Sequence, residues 1–371
     1  MKIDKSKWKK VKFGEVAIQQ TSNVDIETTN LTRYIAGDHM KTENIHLRNW
    51  GIVGDGYLGP AFIRKFEQGD ILYGSRRTYL KKVAVADFDG ITANTTFVIK
   101  GNDEIFVPKL LPFLMLSDSF TKHSIEKSKG SVNPYINWKD IANYEFLLPS
   151  KEEQVHLAKL LWAVDEVVER EKEVKRRLEE TRRIFFEIYL NNKQANHKLG
   201  DCLIPKKNKS RVPHNVEKYL GLEHIESGIF QCENYGSSID VLSDAYIFNR
   251  GDLLYSKLRP NLDKAIIADF DGICTTELIV YDTNSLTTKD FILHILHSKP
   301  FLDYIIPKGF GTKMPRVSHE IISAYEFYLP GIREQKNLLD KLNKFQLNEN
   351  KLTETIRSVE QIKSVLINKI F

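Results

Sequence analysis

The sequence predicts a mixed α/β fold organised as a pseudo-twofold internal repeat, with two similar globular α/β domains, each followed by a long coiled-coil helix. Three observations carry this. The segment GDILYGSRRTYLKKVAVADFDGI at 69–91 returns as GDLLYSKLRPNLDKAIIADFDGI at 251–273. The two align without a gap at an offset of 182, and 13 of 23 positions are identical. Average composition would supply roughly one or two such matches by chance. A second pair begins at Gly130 and Gly311, and 10 of its 25 positions agree, including Tyr-Glu-Phe, Leu-Pro and Glu-Gln. Beyond each of these, apolar residues recur at alternating spacings of four and three, as on a long helix with a narrow seam. Two copies are too few for a solenoid, which leaves a molecule of two related halves.

Taken in order, the chain divides into a domain at 1–150, a helix at 151–192, a domain at 193–330 and a helix at 331–371. Within the first domain, Lys81 to Phe88 alternates like a strand, Asp89-Gly90 is a turn dipeptide, and Thr95 to Ile99 reads as the returning strand. Pro108 to Phe120 reads as a short helix, matched by Lys289 to Phe301. The aspartates of ADFDG at 86–90 and 268–272 are turn formers rather than an acid–base pair.

The first helix seam runs through Leu160, Val164, Val167, Glu171, Val174, Leu178, Thr181, Phe185 and Ile188. The second runs through Leu338, Leu342, Phe345, Glu349, Leu352, Ile356, Val359, Lys363, Leu366 and Ile370. Stripes this narrow on charged helices are coiled-coil signatures, and a single polar step such as Glu349 can fix register. The economical partner for each helix is the other; the alternative is that each packs onto its own domain.

Bulk properties exclude several classes. The N-terminal MKIDKSKWKKVKF has no apolar stretch behind it, so no secretory signal is expected, and no run is long enough to span a bilayer. Cys202, Cys232 and Cys274 are scattered, which fits buried thiols in a cytoplasmic protein. Nucleotide-loop and zincin motifs are missing from the sequence. Asn133-Pro134-Tyr135 lacks the second proline of the amino-methyltransferase tetrapeptide, and His294-x-x-His297 has no further ligand nearby. The sequence therefore points to no catalytic residue and no metal site.

A net charge of +5 leans mildly towards polyanions. What recurs is cationic and polar. The first copy carries Ser75, Arg76, Arg77, Tyr79, Lys81 and Lys82, and the second carries Lys257, Arg259, Asn261 and Lys264 at the equivalent places. Later, Lys129, Ser131 and Asn133 in the first copy correspond to Lys308, Thr312, Lys313 and Arg316 in the second. Arginine and asparagine read base edges and lysine neutralises phosphate, so the set is a candidate DNA-binding surface.

On these duplicated segments the sequence resembles the specificity (HsdS) subunits of type I restriction–modification systems. The resemblance implies two target recognition domains, each reading one half of a bipartite double-stranded DNA sequence. It implies that the two long helices form an antiparallel conserved spacer that holds the domains apart and docks two methyltransferase subunits, with restriction subunits joining that core. The chain would be no enzyme itself and would bind no cofactor; S-adenosylmethionine, ATP and Mg²⁺ would belong to the partners. Alternatives are a specificity subunit of a related system with different partners, and a coiled-coil scaffold that does not touch DNA. Here three residues, not two, separate Pro149 and Pro330 from Glu153 and Glu334.

Overall fold

A computed structural model describes residues 4–191, 193–232 and 234–371; Asn192, the expected end of the first long helix, lies outside the described residues. The chain forms two compact units, Met1–Lys172 with Glu354–Phe371, and Glu173–Thr353. Both mix helix and sheet. Among the described residues no helix is long and apolar enough to cross a membrane.

In unit 1, one antiparallel sheet has the order Ala17–Gln20, Thr96–Gly101, Ile71–Gly74, Val83–Val85. A second has the order Gly51–Ile52, Arg33–Ile35, Gly90–Ala93, Phe62–Phe66, with its two middle strands parallel. Unit 2 repeats the first sheet as Leu203–Lys206, Leu278–Thr283, Leu253–Ser256, Ala265–Ile267. The second sheet recurs there with an added edge strand, Lys209–Ser210.

The repeated apolar run has a simple cause. Successive strand residues point to opposite faces, and here both faces are covered. Ile71 and Tyr73 enter a core shared with the helices, while Leu72 enters a second core with Ala84 and Val98. Leu253 and Tyr255 likewise part from Leu254 in unit 2. The repeated aspartates close turns: Asp70 and Asp252 accept from the amides of Glu67 and Asn249 at 2.8 and 2.9 Å. Asp89 and Asp271 accept from Gln68 and Arg250 at 2.8 and 2.7 Å.

Gly90 and Gly272 are needed for space. A Cβ on Gly90 would lie 2.5 Å from Phe66 Cζ and 2.8 Å from the Arg33 carbonyl. On Gly272 it would lie 2.8 Å from Phe248 Cζ and 2.9 Å from the Lys218 carbonyl. Gly90→Ala and Gly272→Ala should each destabilise their unit by about 1–3 kcal/mol through overpacking. Denaturant titration checks this, and a change within error would show that the ring simply moves aside.

Three expectations need correction. The strand expected over Lys81 to Phe88 covers only Val83–Val85, because Lys81 is left-handed, with φ 44°. The strand Thr96–Gly101 does not return beside it; Ile71–Gly74 lies between the two, and Gly90–Ala93 departs into the other sheet. The helix expected over Pro108 to Phe120 breaks at Ser117, and its counterpart breaks at Ser298. Each serine is extended and buried, and its Oγ accepts from the Phe120 or Phe301 amide to cap a new helix. N-capping outweighs continuation there.

The central helix spans Lys151–Asn191 and the C-terminal helix Ile332–Ile370. In unit 1, Asp165 meets Lys363 at 3.1 Å and Lys172 meets Glu360 at 2.7 Å. In unit 2, Arg182 meets Glu349 at 2.8 Å and Tyr189 donates to Glu334 at 2.7 Å. Within each unit, therefore, the two helical segments run antiparallel. On the C-terminal helix Leu338, Leu342, Glu349 and Ile356 are buried, while Phe345, Leu352, Val359 and Leu366 are half-buried.

On the central helix the buried stripe lies one residue later than expected. Leu161, Asp165, Val168, Phe186 and Leu190 are buried, whereas Leu160, Val164, Leu178 and Phe185 are half-buried and Val167, Val174 and Ile188 exposed. Adjacent apolar pairs such as Leu160-Leu161 and Val167-Val168 satisfy either frame. The true frame passes through Asp165 and Arg182, whose charges are met by partners on the other helix.

Candidate nucleic-acid interface

At the end of strand Ile71–Gly74 the chain turns sharply. Arg77 takes a left-handed conformation, with φ 50° and ψ 55°, before a single 3₁₀ turn over Thr78–Leu80. Its amide donates to the Pro134 carbonyl at 2.7 Å, and the Ile136 amide donates to the Ser75 carbonyl at 2.9 Å. Lys129 and Tyr135 exchange backbone hydrogen bonds at 2.8 and 2.9 Å, closing the loop that carries Ser131 and Asn133. The two cation-rich clusters of this copy, some fifty residues apart in the chain, thus become one surface.

Unit 2 repeats the construction. Arg259 is left-handed, with φ 49°, ahead of a 3₁₀ turn over Pro260–Leu262, and its amide donates to the Pro315 carbonyl at 2.7 Å. Phe310 and Arg316 exchange backbone hydrogen bonds, both at 2.9 Å, around Thr312 and Lys313.

The side chains of this surface divide into engaged and free. Ser75 is buried and donates to the Thr95 carbonyl at 2.6 Å. Lys81 pairs with Asp118 at 2.7 Å and Glu43 at 2.8 Å. Lys82 donates to the Gly37 carbonyl, and its twin Lys264 donates to the Leu222 carbonyl at 2.7 Å. That identical pair therefore ties neighbouring segments of the fold together. Arg316 holds Glu277 at 3.1 Å, Lys308 sits 4.6 Å from the Tyr304 ring, and Lys129 lies 3.8 Å from Asp140. Lys257 is half-buried.

Arg76, Arg77, Tyr79, Ser131 and Asn133 are exposed, as are Arg259, Asn261, Thr312 and Lys313. Among the described residues, none of these side chains makes a hydrogen bond or ion pair within the chain. Exposed, uncommitted guanidinium and amide groups are the chemistry that contacts phosphate and base edges.

The family model for the type I restriction modification DNA specificity domain matches residues 5–180 and again 197–361. The chain belongs to that family. The EcoDI specificity subunit of a type I restriction enzyme from Escherichia coli is 24% identical over 300 residues, covering 67% of this chain and 66% of its own. The HindI specificity subunit from Haemophilus influenzae is 22% identical over 190 residues, covering 50% and 41%. The chain therefore spans just under two thirds of the first relative and less than half of the second. A solved chain from a structural study of complex assembly and conformational transition in the type I R-M system aligns with a TM-score of 0.59 at 19% identity, over 98% of this chain and 97% of that one. A crystal structure of the type I restriction-modification S subunit from M. genitalium aligns with a TM-score of 0.52 at 15% identity, over 100% and 98%. These likenesses show the fold.

Sequence reasoning missed a second duplicated feature of the specificity domains. In unit 1 the Arg33 guanidinium lies 4.6 Å from the Trp50 ring and 4.9 Å from the Phe88 ring. In unit 2 the Lys218 ammonium lies 4.5 Å from Tyr235 and 5.0 Å from Phe270. Each cation–aromatic cluster ties the second sheet together, with one ring partly exposed. The signal was the echo of YIAGDH in YLGLEH, whose offset of 185 places Arg33 on Lys218 and Trp50 on Tyr235. The flagged pair His294 and His297 is structural: His294 packs on Phe230 at 4.7 Å, and burial pushes its pKa down to about 3. His297 hydrogen-bonds Asp263 at 2.8 Å.

Proposed function

We propose that this chain is the non-catalytic, sequence-reading subunit of a type I restriction–modification complex, each unit reading one half of a bipartite double-stranded DNA target. The single observation that supports this best is the duplicated loop pair, which presents free cationic and amide side chains at equivalent places in both units. Phosphate contacts supply affinity that falls steeply with salt, and base-edge contacts discriminate by about 1–3 kcal/mol per base pair. The long helices set the separation of the two reading surfaces and dock methyltransferase subunits. A 41-residue helix reaches about 60 Å, enough to place readers on successive turns of the major groove, about 34–36 Å apart. Methyl transfer with S-adenosylmethionine, and ATP- and Mg²⁺-dependent restriction, belong to the partner subunits.

Mapping methylated adenines in a host with and without the gene tests this. Deletion should abolish methylation at one bipartite motif, and exchanging residues 1–150 for those of a relative should change only one half of it. Persistence of the same motif after deletion rejects the reading.

A further inference from the structure

We propose that Arg77 and Arg259 clamp the phosphodiester backbone without regard to sequence, one in each unit, and that the exposed side chains differing between the units read the bases. The proposal rests on the DNA-reading function above and divides the labour within that surface.

The two copies make the argument. Readers of different half-sequences share one chemical target, the phosphate; a side chain common to both readers fits that shared target. Of the two cations identical between the copies in this motif, Lys82/Lys264 is spent on carbonyls of its own fold. The Arg77/Arg259 side chains are exposed and, among the described residues, make no hydrogen bond or ion pair within the chain. Around it the exposed positions diverge: Tyr79 aligns with Asn261, Val132 with Lys313, and Asn133 with Met314. These are hydrogen-bonding and apolar groups suited to base edges and thymine methyls.

Backbone geometry supports a side-chain role for the arginine. A left-handed conformation disfavours a residue with a Cβ, and glycine or asparagine would occupy it more cheaply. Both copies nevertheless keep arginine. Four residues later, Lys81 and Asp263 are left-handed too, with φ 44° and 46°, and there the residue type is not kept. The conformation alone therefore does not select arginine. The hydrogen bond that each arginine's backbone amide donates to the Pro134 or Pro315 carbonyl fixes the root of the side chain at the junction of the two loops.

The test uses the full chain in complex with its methyltransferase subunits. Binding is titrated with salt on a duplex carrying the mapped motif and on an unrelated duplex of equal length. Arg77→Gly suits the left-handed backbone, so folding is preserved. It should weaken binding to both duplexes by the same factor and flatten the salt slope by about 0.9. Arg77→Lys should keep the slope, since an ammonium serves a phosphate but cannot replace a bidentate guanine contact. Asn261→Ala should change preference within one half-site and leave the slope alone. The clamp is overturned if Arg77→Gly weakens only the motif duplex, if it leaves binding unchanged, or if Arg77→Lys behaves like Arg77→Gly. Wild-type complex that does not distinguish the two duplexes defeats the underlying reading, whatever the variants do.

Discussion

Replacing Gln335 by leucine should destabilise unit 2 by about 3–5 kcal/mol, because several buried polar groups lose their partner at once. The side chain is fully buried at the start of the C-terminal helix. Its Oε1 accepts from the Thr287 hydroxyl at 3.0 Å and the Thr288 amide at 3.3 Å. Its Nε2 donates to the carbonyls of Leu286 and Pro330 at 2.9 and 2.8 Å. Leucine has similar bulk and none of this chemistry, so those groups would stay buried and unsatisfied. Gln154 repeats the arrangement in unit 1, accepting from the Val107 amide at 2.7 Å and donating to the carbonyls of Ile105 and Pro149 at 3.2 and 3.0 Å. Gln154→Leu should cost a similar amount. Two-stage denaturation, with hydrogen exchange of the Thr288 and Val107 amides, measures both effects. Unchanged exchange at Thr288 in Gln335→Leu would mean that this lock does not hold the helix.

These glutamines show what sequence could and could not carry. The repeated Leu-Pro and Glu-Gln were visible as a pattern, and they mark where each long helix begins. Their purpose was not visible, because Gln335 meets residues almost fifty positions away. The division into engaged and free cations was hidden for the same reason: Lys82 and Arg77 look alike in a string, yet the Lys82 ammonium reaches the Gly37 carbonyl, while the Arg77 guanidinium makes no hydrogen bond or ion pair among the described residues. Local signals also competed with each other. Ser117 sits inside an apolar run that reads as one helix, and its hydroxyl starts another. The seam of the central helix was ambiguous by one residue because the rule sought apolar positions, while the structure uses Asp165 and Arg182. Periodicity sees hydrophobicity; it does not see a charge that a partner will neutralise.

Arg182→Ala should cost unit 2 about 3–5 kcal/mol, whereas replacing Arg182 and Glu349 together by methionine and leucine should be neutral or stabilising. The single change strands the Glu349 carboxylate, which is buried, and removes a guanidinium that also lies 4.8 Å from the Phe230 ring. Burial already raises the Glu349 pKa, and the attraction of Arg182 only partly offsets it. A carboxyl whose folded pKa exceeds its unfolded value, about 4.3, binds more protons when folded. Its contribution to stability therefore falls as pH rises through that window, and acid relieves the site. Asp165 in unit 1 has the opposite sign. Burial opposes its ionisation, but His46 at 2.6 Å and Lys363 at 3.1 Å prevail and lower its pKa. The stability it contributes is present above the unfolded value, about 3.9, and is lost as pH falls through the folded one. Comparing stability–pH curves of wild type, Glu349→Leu and Asp165→Asn separates the two. Below about pH 5, Asp165→Asn should flatten the acid loss of unit 1 and Glu349→Leu should steepen that of unit 2. Parallel curves for both variants would show that neither carboxyl changes its pKa on folding.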